Sequence, residues 1–185
     1  MANDYFKFQK FTLFQGRCAM KVGTDGTLLG AWARGGSRVL DIGTGTGLVA
    51  LMVAQRFAEA RVVGIDIDPE AAGQARENVA ASPFADRVSI ETADVKAYED
   101  RTFDAVVCNP PYFVDSLRCH DDQRTLARHA SALTYADLMT AVRRLLADDG
   151  ELSVVVPFDC KARIEQEAAL AGFFLVRQCG VKTTP

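Results

Sequence analysis

The sequence is poor in the features that mark metal sites, disulfide frameworks and membrane spans. Its five cysteines are odd in number and far apart, and no Cys-x-x-Cys pair occurs, so neither a zinc site nor a disulfide set is indicated. No apolar stretch approaches the length of a transmembrane helix, and the first residues lack the basic and apolar parts of a signal peptide. We therefore expect a protein of the reducing cytoplasm with no metal and no membrane partner.

Positive charge is also scarce. The chain has 21 Lys and Arg residues against 24 Asp and Glu residues, a formal net charge of −3, which argues against a protein that coats nucleic acid non-specifically. A local basic patch is compatible with this balance. With 185 residues and a hydrophobic share of 49%, the chain is long enough to form one domain with a full core.

Short apolar strands alternate with helical segments from residue 38 onward. The pattern predicts strands over 38–42, 61–67, 88–92, 103–108, 151–156 and 173–181. It predicts helices over 47–57, 69–81, 134–147 and 161–171. Such alternation is typical of an α/β fold with a doubly wound, mostly parallel sheet, of the Rossmann-like kind.

The first 36 residues follow a different pattern. Residues 5–15 are aromatic and partly alternating, which predicts a strand or a hairpin. Thr24 or Asp25 is expected to cap a short helix over 26–33. We therefore predict an N-terminal extension over 1–36 and one main domain over 37–185.

A glycine-rich turn follows the first strand of this alternation. Segment 41–47 reads Asp-Ile-Gly-Thr-Gly-Thr-Gly, with Gly43, Gly45 and Gly47 spaced differently from the Gly-x-Gly-x-x-Gly of dinucleotide-binding proteins. Glycines allow positive φ and close approach of a ligand, and the helix N-terminus adds N–H groups with partial positive charge. The leading Asp41 would repel a pyrophosphate but could hold an ammonium group.

Asp66 ends the second strand of the alternation. Strand ends face the ligand crevice in open α/β sheets, and an acid at this place can accept both ribose hydroxyls. Asp68 is the alternative, but strand alternation points it the other way. Its position before Pro69 suits a helix N-cap.

Asp94 follows the third strand. It could accept an N–H group of an adenine amine, with Ile67 and Val95 packing on the ring. Any one of these aspartates could instead be an ordinary turn or cap residue. Three acids at three successive strand ends, together with the glycine turn, predict a cofactor that contains a nucleoside.

Residues 109–112, Asn-Pro-Pro-Tyr, follow the strand over 103–108. Two prolines cannot continue a strand ladder, and they stiffen the loop. The side-chain oxygen of Asn109 and the carbonyl of Pro110 can accept the two N–H groups of a planar amine, on which Tyr112 can stack. The alternative is a rigid turn with a surface tyrosine.

These motifs together resemble the class I S-adenosylmethionine-dependent methyltransferases over residues 37–181. Segment 41–47 matches that family's first motif, Asp66 its ribose acid, Asp94 its adenine contact and segment 109–112 its amine-methylating motif. The resemblance implies S-adenosylmethionine as the cofactor. The family's sheet normally ends with a sixth strand and a seventh, antiparallel one. Since 173–181 can only be the sixth, the final strand is expected to be missing from this chain.

The N-terminal segment resembles a narrower family. Residues 17–26 and 28–33 look like the opening of the bacterial tRNA1(Val) (adenine-37-N6)-methyltransferases, as does the spaced pattern over 123–128. This resemblance implies methylation of the exocyclic N6 of an adenine beside the anticodon of a valine tRNA. It also implies that the segment around Lys21 and Thr24 lies over the cofactor pocket.

Two groups of cationic side chains are candidates for contacts with RNA phosphates. The first group, after the Asn-Pro-Pro-Tyr segment, comprises Arg118, His120, Arg124, Arg128 and His129. The second comprises Lys7, Lys10, Arg17 and Lys21. Arg124 and Arg128 could instead form a solvated helix face, and Arg143 and Arg144 are interpreted as ordinary helix surface.

Other functions share parts of this pattern. Enzymes that methylate guanine N2 in rRNA, adenine N6 in DNA or glutamine N5 in proteins also use an Asn-Pro-Pro-Tyr corner, so they remain alternatives. A nucleoside-binding subunit without catalysis is a second alternative, and an NAD-dependent oxidoreductase, disfavoured by the glycine spacing, is a third. The sequence predicts an N-methyltransferase whose acceptor is tRNA; its oligomeric state is left open.

Overall fold

The computed structural model describes residues 4–18, 21–110 and 133–182. The chain divides into two compact units. Unit 1 comprises Met1–Pro110 and Arg144–Val155, and unit 2 comprises Pro111–Arg143 and Val156–Pro185.

Unit 1 is built on a parallel sheet flanked by helices. Its elements are β1 (Tyr5–Lys7), β2 (Thr12–Phe14), α1 (Thr24–Trp32), β3 (Arg38–Ile42), α2 (Leu48–Arg56), β4 (Arg61–Asp66), α3 (Pro69–Ala80), β5 (Val88–Thr92), β6 (Phe103–Cys108) and β7 (Leu146–Val154). Among the described residues, five strands pair in the order β5-β4-β3-β6-β7, all parallel. The predicted α/β fold with a mostly parallel sheet is confirmed.

The strand order reverses direction once, between β3 and β6. From β3 the chain moves outward through β4 to β5, then returns to the other side of β3 for β6 and β7. In open α/β sheets such a switch point opens a crevice at the carboxyl ends of the strands, where ligands bind. The fold therefore marks the ends of β3 and β6 as the place to look for a site.

The central strands are buried along nearly their whole length. In β6, Phe103, Ala105, Val106, Val107 and Cys108 are each no more than 1% exposed. Continuous apolar runs of this kind belong to parallel strands that are covered on both faces. The predicted bounds of β3, β5 and β6 are confirmed to the residue, since burial and sequence pattern coincide there.

The N-terminal residues form the predicted hairpin. Strands β1 and β2 are antiparallel, with Tyr5 opposite Phe14 and Lys7 opposite Thr12. Leu13 of β2 is fully buried, and the Phe11 ring meets the edge of the Phe84 ring at a centroid distance of 6.2 Å. The hairpin therefore has one face in the core of unit 1.

Helix α1 begins earlier than predicted, and its cap is a different residue. Gly23 is the N-cap, in an extended conformation, whereas Thr24 and Asp25 lie in the first turn. The Gly23 carbonyl accepts hydrogen bonds from the Thr27 backbone N–H (3.2 Å) and the Thr27 hydroxyl (2.9 Å). Asp25 in the first turn instead complements the helix dipole.

Strand β7 starts at Leu146, within the last residues of the helix predicted over 134–147 and before the strand predicted over 151–156. Leu146 pairs with Phe103 and Glu151 with Ala105, so the ladder contains an irregularity over the Asp-Asp-Gly segment 148–150. Beyond it the pairing of Ala105–Cys108 with residues 151–154 is regular. The sequence located the regular part of the strand but not the paired residues before the bulge.

Unit 2 contains most of helix α4 (Tyr135–Leu145), a 3₁₀ turn (Phe158–Cys160) and helix α5 (Lys161–Leu170). Thr134 and Asp137 cap α4 reciprocally: the Asp137 N–H donates to the Thr134 hydroxyl (3.0 Å) and the Thr134 N–H to the Asp137 carboxylate (3.2 Å). This is a capping-box arrangement, and it confirms the predicted start of the helix.

The predicted last strand over 173–181 is wrong. Residues 173–182 have no regular secondary structure, and Phe174, Leu175 and Val176 are 87%, 63% and 73% exposed. An apolar pattern can favour a strand, but a strand forms only where another strand pairs with it. Within the described ranges the five-stranded sheet contains no antiparallel strand, and no helix is both long and apolar enough to cross a membrane.

Candidate active site

The ends of four strands bring the predicted cofactor residues to one edge of the sheet. Ile42 of β3 is in register with Ile65 of β4 and with Cys108 of β6, and Asp66 pairs with Thr92. The residues that follow these positions therefore lie side by side. Along the edge the order is Asp94, Asp66, the glycine loop over 43–47 and Asn109.

The glycine loop has the backbone that its sequence predicts. Gly43, Gly45 and Gly47 have φ angles of 69°, 54° and 82°, which non-glycine residues rarely adopt. A Cβ added at Gly43 would meet no atom within 4 Å, so the backbone conformation, not crowding, requires glycine there. The loop is exposed at Gly43 and leads directly into α2, so a ligand can approach its backbone closely.

Asp66 shapes the glycine loop and keeps capacity for a ligand. Its Oδ2 accepts the Gly45 N–H at 2.8 Å and its Oδ1 accepts the Asp68 N–H at 3.0 Å. Each carboxylate oxygen has a further lone pair, and the residue is half-buried. Asp68 Oδ1 accepts the Glu70 N–H at 2.9 Å and caps α3, as the sequence predicted.

Asp41 lies beneath the glycine loop and is only 2% exposed. Its Oδ2 accepts the Thr44 hydroxyl at 2.7 Å and the Ala50 N–H at 3.1 Å, which ties the loop to α2. Burial raises the pKa of Asp41 to about 7 although these two hydrogen bonds oppose the change, and the charge of Asp66 adds to it. These contacts support a positioning role, and direct contact with a ligand ammonium stays a prediction.

Asp94 begins a turn immediately after β5. Its Oδ1 accepts the Lys96 N–H at 2.9 Å, and the Lys96 ammonium lies 3.8 Å from Oδ2. Ile67 is 58% exposed and offers an apolar surface, whereas Val95 is 5% exposed and packs in the core. A contact of Asp94, Ile67 and Val95 with an adenine ring stays a prediction.

Arg144 fixes the loop that follows Asp94, which corrects its interpretation as ordinary helix surface. Its guanidinium donates to the backbone carbonyls of Val95 (3.0 Å), Lys96 (3.2 Å) and Tyr98 (2.9 Å). Its partners lie 46 to 49 residues earlier in the chain, so no local pattern indicates this role.

Asn109 lies at the end of β6, next to the first turn of α1. It is half-buried, and Pro110 is buried. A Cβ added at Gly26 of α1 would lie 3.2 Å from Leu48 Cδ2 and 3.7 Å from the Asn109 side-chain nitrogen. Lys21 and Thr24 are exposed at the approach to this helix, so the segment that carries them leads to Asn109. Their position over a cofactor stays a prediction.

Several predicted site residues lie outside the described part of the chain. They are Tyr112, Arg118, His120, Arg124, Arg128 and His129. Their proposed roles are therefore carried by the sequence alone.

Asn78 is a site residue that sequence reasoning missed. It is fully buried on α3. Its Oδ1 accepts the Phe14 N–H at 2.8 Å, and its Nδ2 donates to the Phe14 carbonyl at 2.8 Å and to the Thr46 carbonyl at 2.9 Å. One amide thus joins the hairpin to the glycine loop. In the sequence, the only indication of this role is that a polar residue occurs among the alanines of α3. A residue on the exposed side of the helix would give the same pattern.

The described side chains are poorly suited to catalysis by a cysteine nucleophile or by a bound metal ion. Cys108 is 1% exposed, and burial together with the Asp41 charge raises the pKa of its thiol, so it is a packing residue in this structure. Among residues 4–18, 21–110 and 133–182, no group of His, Cys, Asp and Glu could hold a metal ion. The described groups at the sheet edge are suited to binding a polar, nucleoside-containing ligand.

Known proteins are similar to this chain in sequence and in fold. The family model "Methyltransferase small domain" matches residues 26–174. A tRNA1(Val) (adenine(37)-N6)-methyltransferase of Bacteroides thetaiotaomicron is 51% identical over all of this chain and 80% of its own length. A protein of the same name from Parabacteroides distasonis is 52% identical over 86% of this chain and 69% of its own length.

A solved structure supports the fold. The ribosomal protein L11 methylase of Lactobacillus delbrueckii subsp. bulgaricus superposes with a TM-score of 0.65 at 21% identity, over 92% of this chain and 79% of that one. The family model covers well over half of the chain, and the relatives match it at high identity over most or all of its length. The chain therefore belongs to the methyltransferase small-domain family.

Proposed function

We propose that this protein is an S-adenosylmethionine-dependent methyltransferase that methylates the exocyclic N6 of an adenine in tRNA. The observation that carries the proposal is the order of groups along one sheet edge: Asp94, Asp66, the glycine loop and then Asn109. An elongated nucleoside cofactor laid along this edge would end at the amide that receives the acceptor amine. The names of the relatives supply the class of acceptor.

The residues present fit S-adenosylmethionine. Asp66 retains acceptor capacity for ribose hydroxyls, and the open space beside Gly43 leaves room for a ligand at the loop. Asp94 would accept from the adenine amine, with the exposed face of Ile67 on the ring. Segment 1–36 would then be an N-terminal extension whose part around Lys21 and Thr24 covers the cofactor, and 37–185 would be the catalytic domain. When bound, the cofactor supplies a methyl group activated by a positive sulfur.

The main catalytic task of the chain is to align the amine. The lone pair of an exocyclic adenine nitrogen is delocalised into the ring, so this nitrogen is a poor nucleophile. Hydrogen bonds from its two N–H groups to Asn109 Oδ1 and the Pro110 carbonyl would favour a pyramidal nitrogen whose lone pair points at the methyl. Alignment of this kind supplies much of the rate enhancement, and the surplus proton can leave to water after transfer. Tyr112 would stack on the flipped base.

The specific substrate is a valine tRNA, and the methyl group is transferred to its adenine 37. Relatives that match all of this chain carry that activity in their names. The segment resemblance over 17–33 is to the same family and favours the same substrate. An enzyme that acts on tRNA would work in the cytoplasm.

Methyl transfer to defined RNAs tests the proposal. The purified protein is incubated with labelled S-adenosylmethionine and one of two valine tRNA transcripts, which carry adenine or guanine at position 37. We expect N6-methyladenosine, identified by nucleoside mass spectrometry, only in the first. Asn109→Ala should lose nearly all turnover while its affinity for S-adenosylmethionine, measured by calorimetry, stays near that of the wild type.

Each alternative acceptor gives a different result in this assay. Label in rRNA guanine, in DNA adenine or in protein glutamine, with none in tRNA, would reject tRNA as the acceptor. The assignment of methyltransferase activity would remain. Binding of the cofactor without transfer to any acceptor would favour the non-catalytic subunit. Methylation of the guanine-37 transcript at another adenine would reject position 37 as the target, while tRNA would remain the acceptor.

A further inference from the structure

The outer face of the N-terminal hairpin carries two exposed aromatic rings. Tyr5 and Phe14 are directly opposite each other in the β1–β2 pair, 48% and 49% exposed, with ring centroids 6.4 Å apart. Their neighbour in the strand, Leu13, points to the core and is fully buried. About half of the surface of each residue is therefore exposed to solvent, although the other face of the hairpin contributes to the core.

Positive charge surrounds these rings. Lys7 lies on the same face of β1 as Tyr5, because residues two apart in a strand share a face, and Lys10 is in the turn. Both are exposed, and neither forms a salt bridge within the described ranges. Residues 4–18 contain three cations and one acid, Asp4, in a chain whose net charge is −3; Arg17 is paired with Glu77, which leaves Lys7 and Lys10 as the cations of this surface. The surface is locally complementary to phosphate.

The hairpin is held firmly beside the cofactor loop. The Asn78 side chain bonds both the N–H and the carbonyl of Phe14, and the same nitrogen reaches the Thr46 carbonyl of the glycine loop. Gln15 Oε1 accepts the Val22 N–H at 2.8 Å, which ties the hairpin to the segment before α1. Both attachments belong to unit 1, so the aromatic face has a fixed place relative to the candidate site.

We propose that this hairpin face, defined by Tyr5, Lys7, Lys10 and Phe14, binds single-stranded nucleotides that flank the target adenine in the RNA substrate. Aromatic faces stack on bases regardless of sequence, and neighbouring cations hold the backbone phosphates. The inference rests on the proposed function and deepens it, because it assigns a surface to the RNA. An apolar protein partner would be expected to meet fewer unpaired lysines around the rings.

Ring removal tests the stacking component. Tyr5→Ala and Phe14→Ala should each weaken binding of the valine tRNA by about tenfold, the size expected for one lost base stack. Tyr5→Trp and Phe14→Trp should bind like the wild type, because a ring is retained. Affinity for S-adenosylmethionine should stay unchanged in all four variants, since no atom of these side chains lies among the candidate cofactor contacts.

The lysines supply a separate readout. In Lys7→Ala with Lys10→Ala, the slope of log affinity against log salt should fall by about one for each phosphate that the variant no longer neutralises. Phe158→Ala and Phe174→Ala are matched controls, because these rings are 82% and 87% exposed and belong to unit 2. Both should keep the wild-type tRNA affinity and salt slope.

The outcomes separate this inference from the proposed function. If the wild type methylates tRNA while the hairpin alanine variants bind it as tightly as the wild type, the hairpin face is not an RNA surface and the function stands. If the wild type methylates no tRNA, the function itself fails. Wild-type self-association that the Tyr5 and Phe14 variants abolish, with tRNA affinity retained, would assign the face to a second copy and overturn the proposal.

Discussion

Two aspartates separated by one residue have different tasks at the end of β4. Asp66 accepts the Gly45 N–H and is half-buried at the sheet edge, whereas Asp68 is exposed and caps α3. Both are short acids in the same turn, so composition cannot distinguish them. The prediction that strand alternation points Asp68 away from the side of Asp66 is wrong, because residues two apart in a strand share a face. Their positions distinguish the two residues. Asp66 is still paired with β5, whereas Asp68 lies past the strand and directly before Pro69, where a helix cap is expected.

Asp66→Ala should weaken S-adenosylmethionine binding by about 10- to 100-fold, because hydrogen bonds to a charged group contribute about 1.5–3 kcal/mol. Asp68→Ala is the matched control. It should lower the free energy of unfolding by about 1 kcal/mol, the usual cost of a lost N-cap, with much less effect on cofactor affinity. Isothermal calorimetry and urea unfolding of both variants measure the two effects. Equal cofactor affinity in wild type and Asp66→Ala would remove Asp66 from the ribose site.

Asp41 should make stability depend on pH. An aspartate in an unfolded chain has a pKa of about 3.9, and burial raises the pKa of Asp41 in the folded chain to about 7. The folded state therefore binds more protons between these values, and the contribution of Asp41 to stability is lost as pH rises through about 7. Asp41→Asn cannot ionise, so its unfolding free energy relative to the wild type should increase from pH 5 to pH 8. Urea unfolding at each pH checks this, and a constant difference would contradict it.

At the scale of elements, one side chain connects the hairpin to the glycine loop by hydrogen bonds. The Asn78 amide makes three hydrogen bonds with backbone groups of β2 and of the glycine loop, at a fully buried position. Buried polar groups that lose their partners are costly. The hairpin and the glycine loop should therefore respond together when this residue is changed.

Asn78→Ala should lower the free energy of unfolding by about 2–4 kcal/mol, because three hydrogen bonds are lost and three backbone groups, which are buried or partly buried, lose a partner. It should also speed hydrogen exchange in residues 12–14 and weaken cofactor binding. Gln74→Ala is the control: Gln74 is buried on the same helix, but within the described part of the chain its side chain makes a single hydrogen bond, from Nε2 to Glu77 Oε2 at 3.4 Å. Exchange in β2 that is equally fast in both variants would reject the coupling.

Elements whose own residues form a clear local pattern could be predicted from the sequence. Elements and contacts that depend on partners distant in the chain could not. In β3 and β6 most residues are apolar, in β5 the apolar Val88 and Ile90 alternate with polar residues, and α3 has Pro69 as its first residue after an aspartate cap. By contrast, residues 173–181 carry a strand-like pattern without a pairing partner, and Gly23 caps α1 through its backbone, which no side-chain rule predicts. The roles of Asn78 and Arg144 depend on carbonyls far along the chain, which only the fold brings near.

At the scale of the whole molecule, the described candidate groups for the cofactor and Asn109 belong to unit 1. This unit is discontinuous in sequence, since residues 144–155 return to complete its sheet as β7. Asp94, Asp66, the glycine loop and Asn109 follow strands that are neighbours in the sheet. Binding of the cofactor should therefore stabilise unit 1 as a body, with the largest local effect at the carboxyl ends of its strands.

Hydrogen exchange with and without S-adenosylhomocysteine tests this expectation. At a ligand concentration about 100 times the dissociation constant, binding adds about 2.7 kcal/mol to the folded state, so exchange that requires opening of the site should slow by about 100-fold. We expect this slowing at residues 43–48, 64–66 and 93–95, and a smaller change over 161–170 of unit 2. Asp66→Ala at the same ligand concentration should show slowing of only about 2- to 11-fold, because its affinity is expected to be about 10- to 100-fold weaker, and this difference separates binding at this edge from general ligand effects. Slowing confined to 161–170, or equal slowing in wild type and Asp66→Ala, would place the cofactor elsewhere.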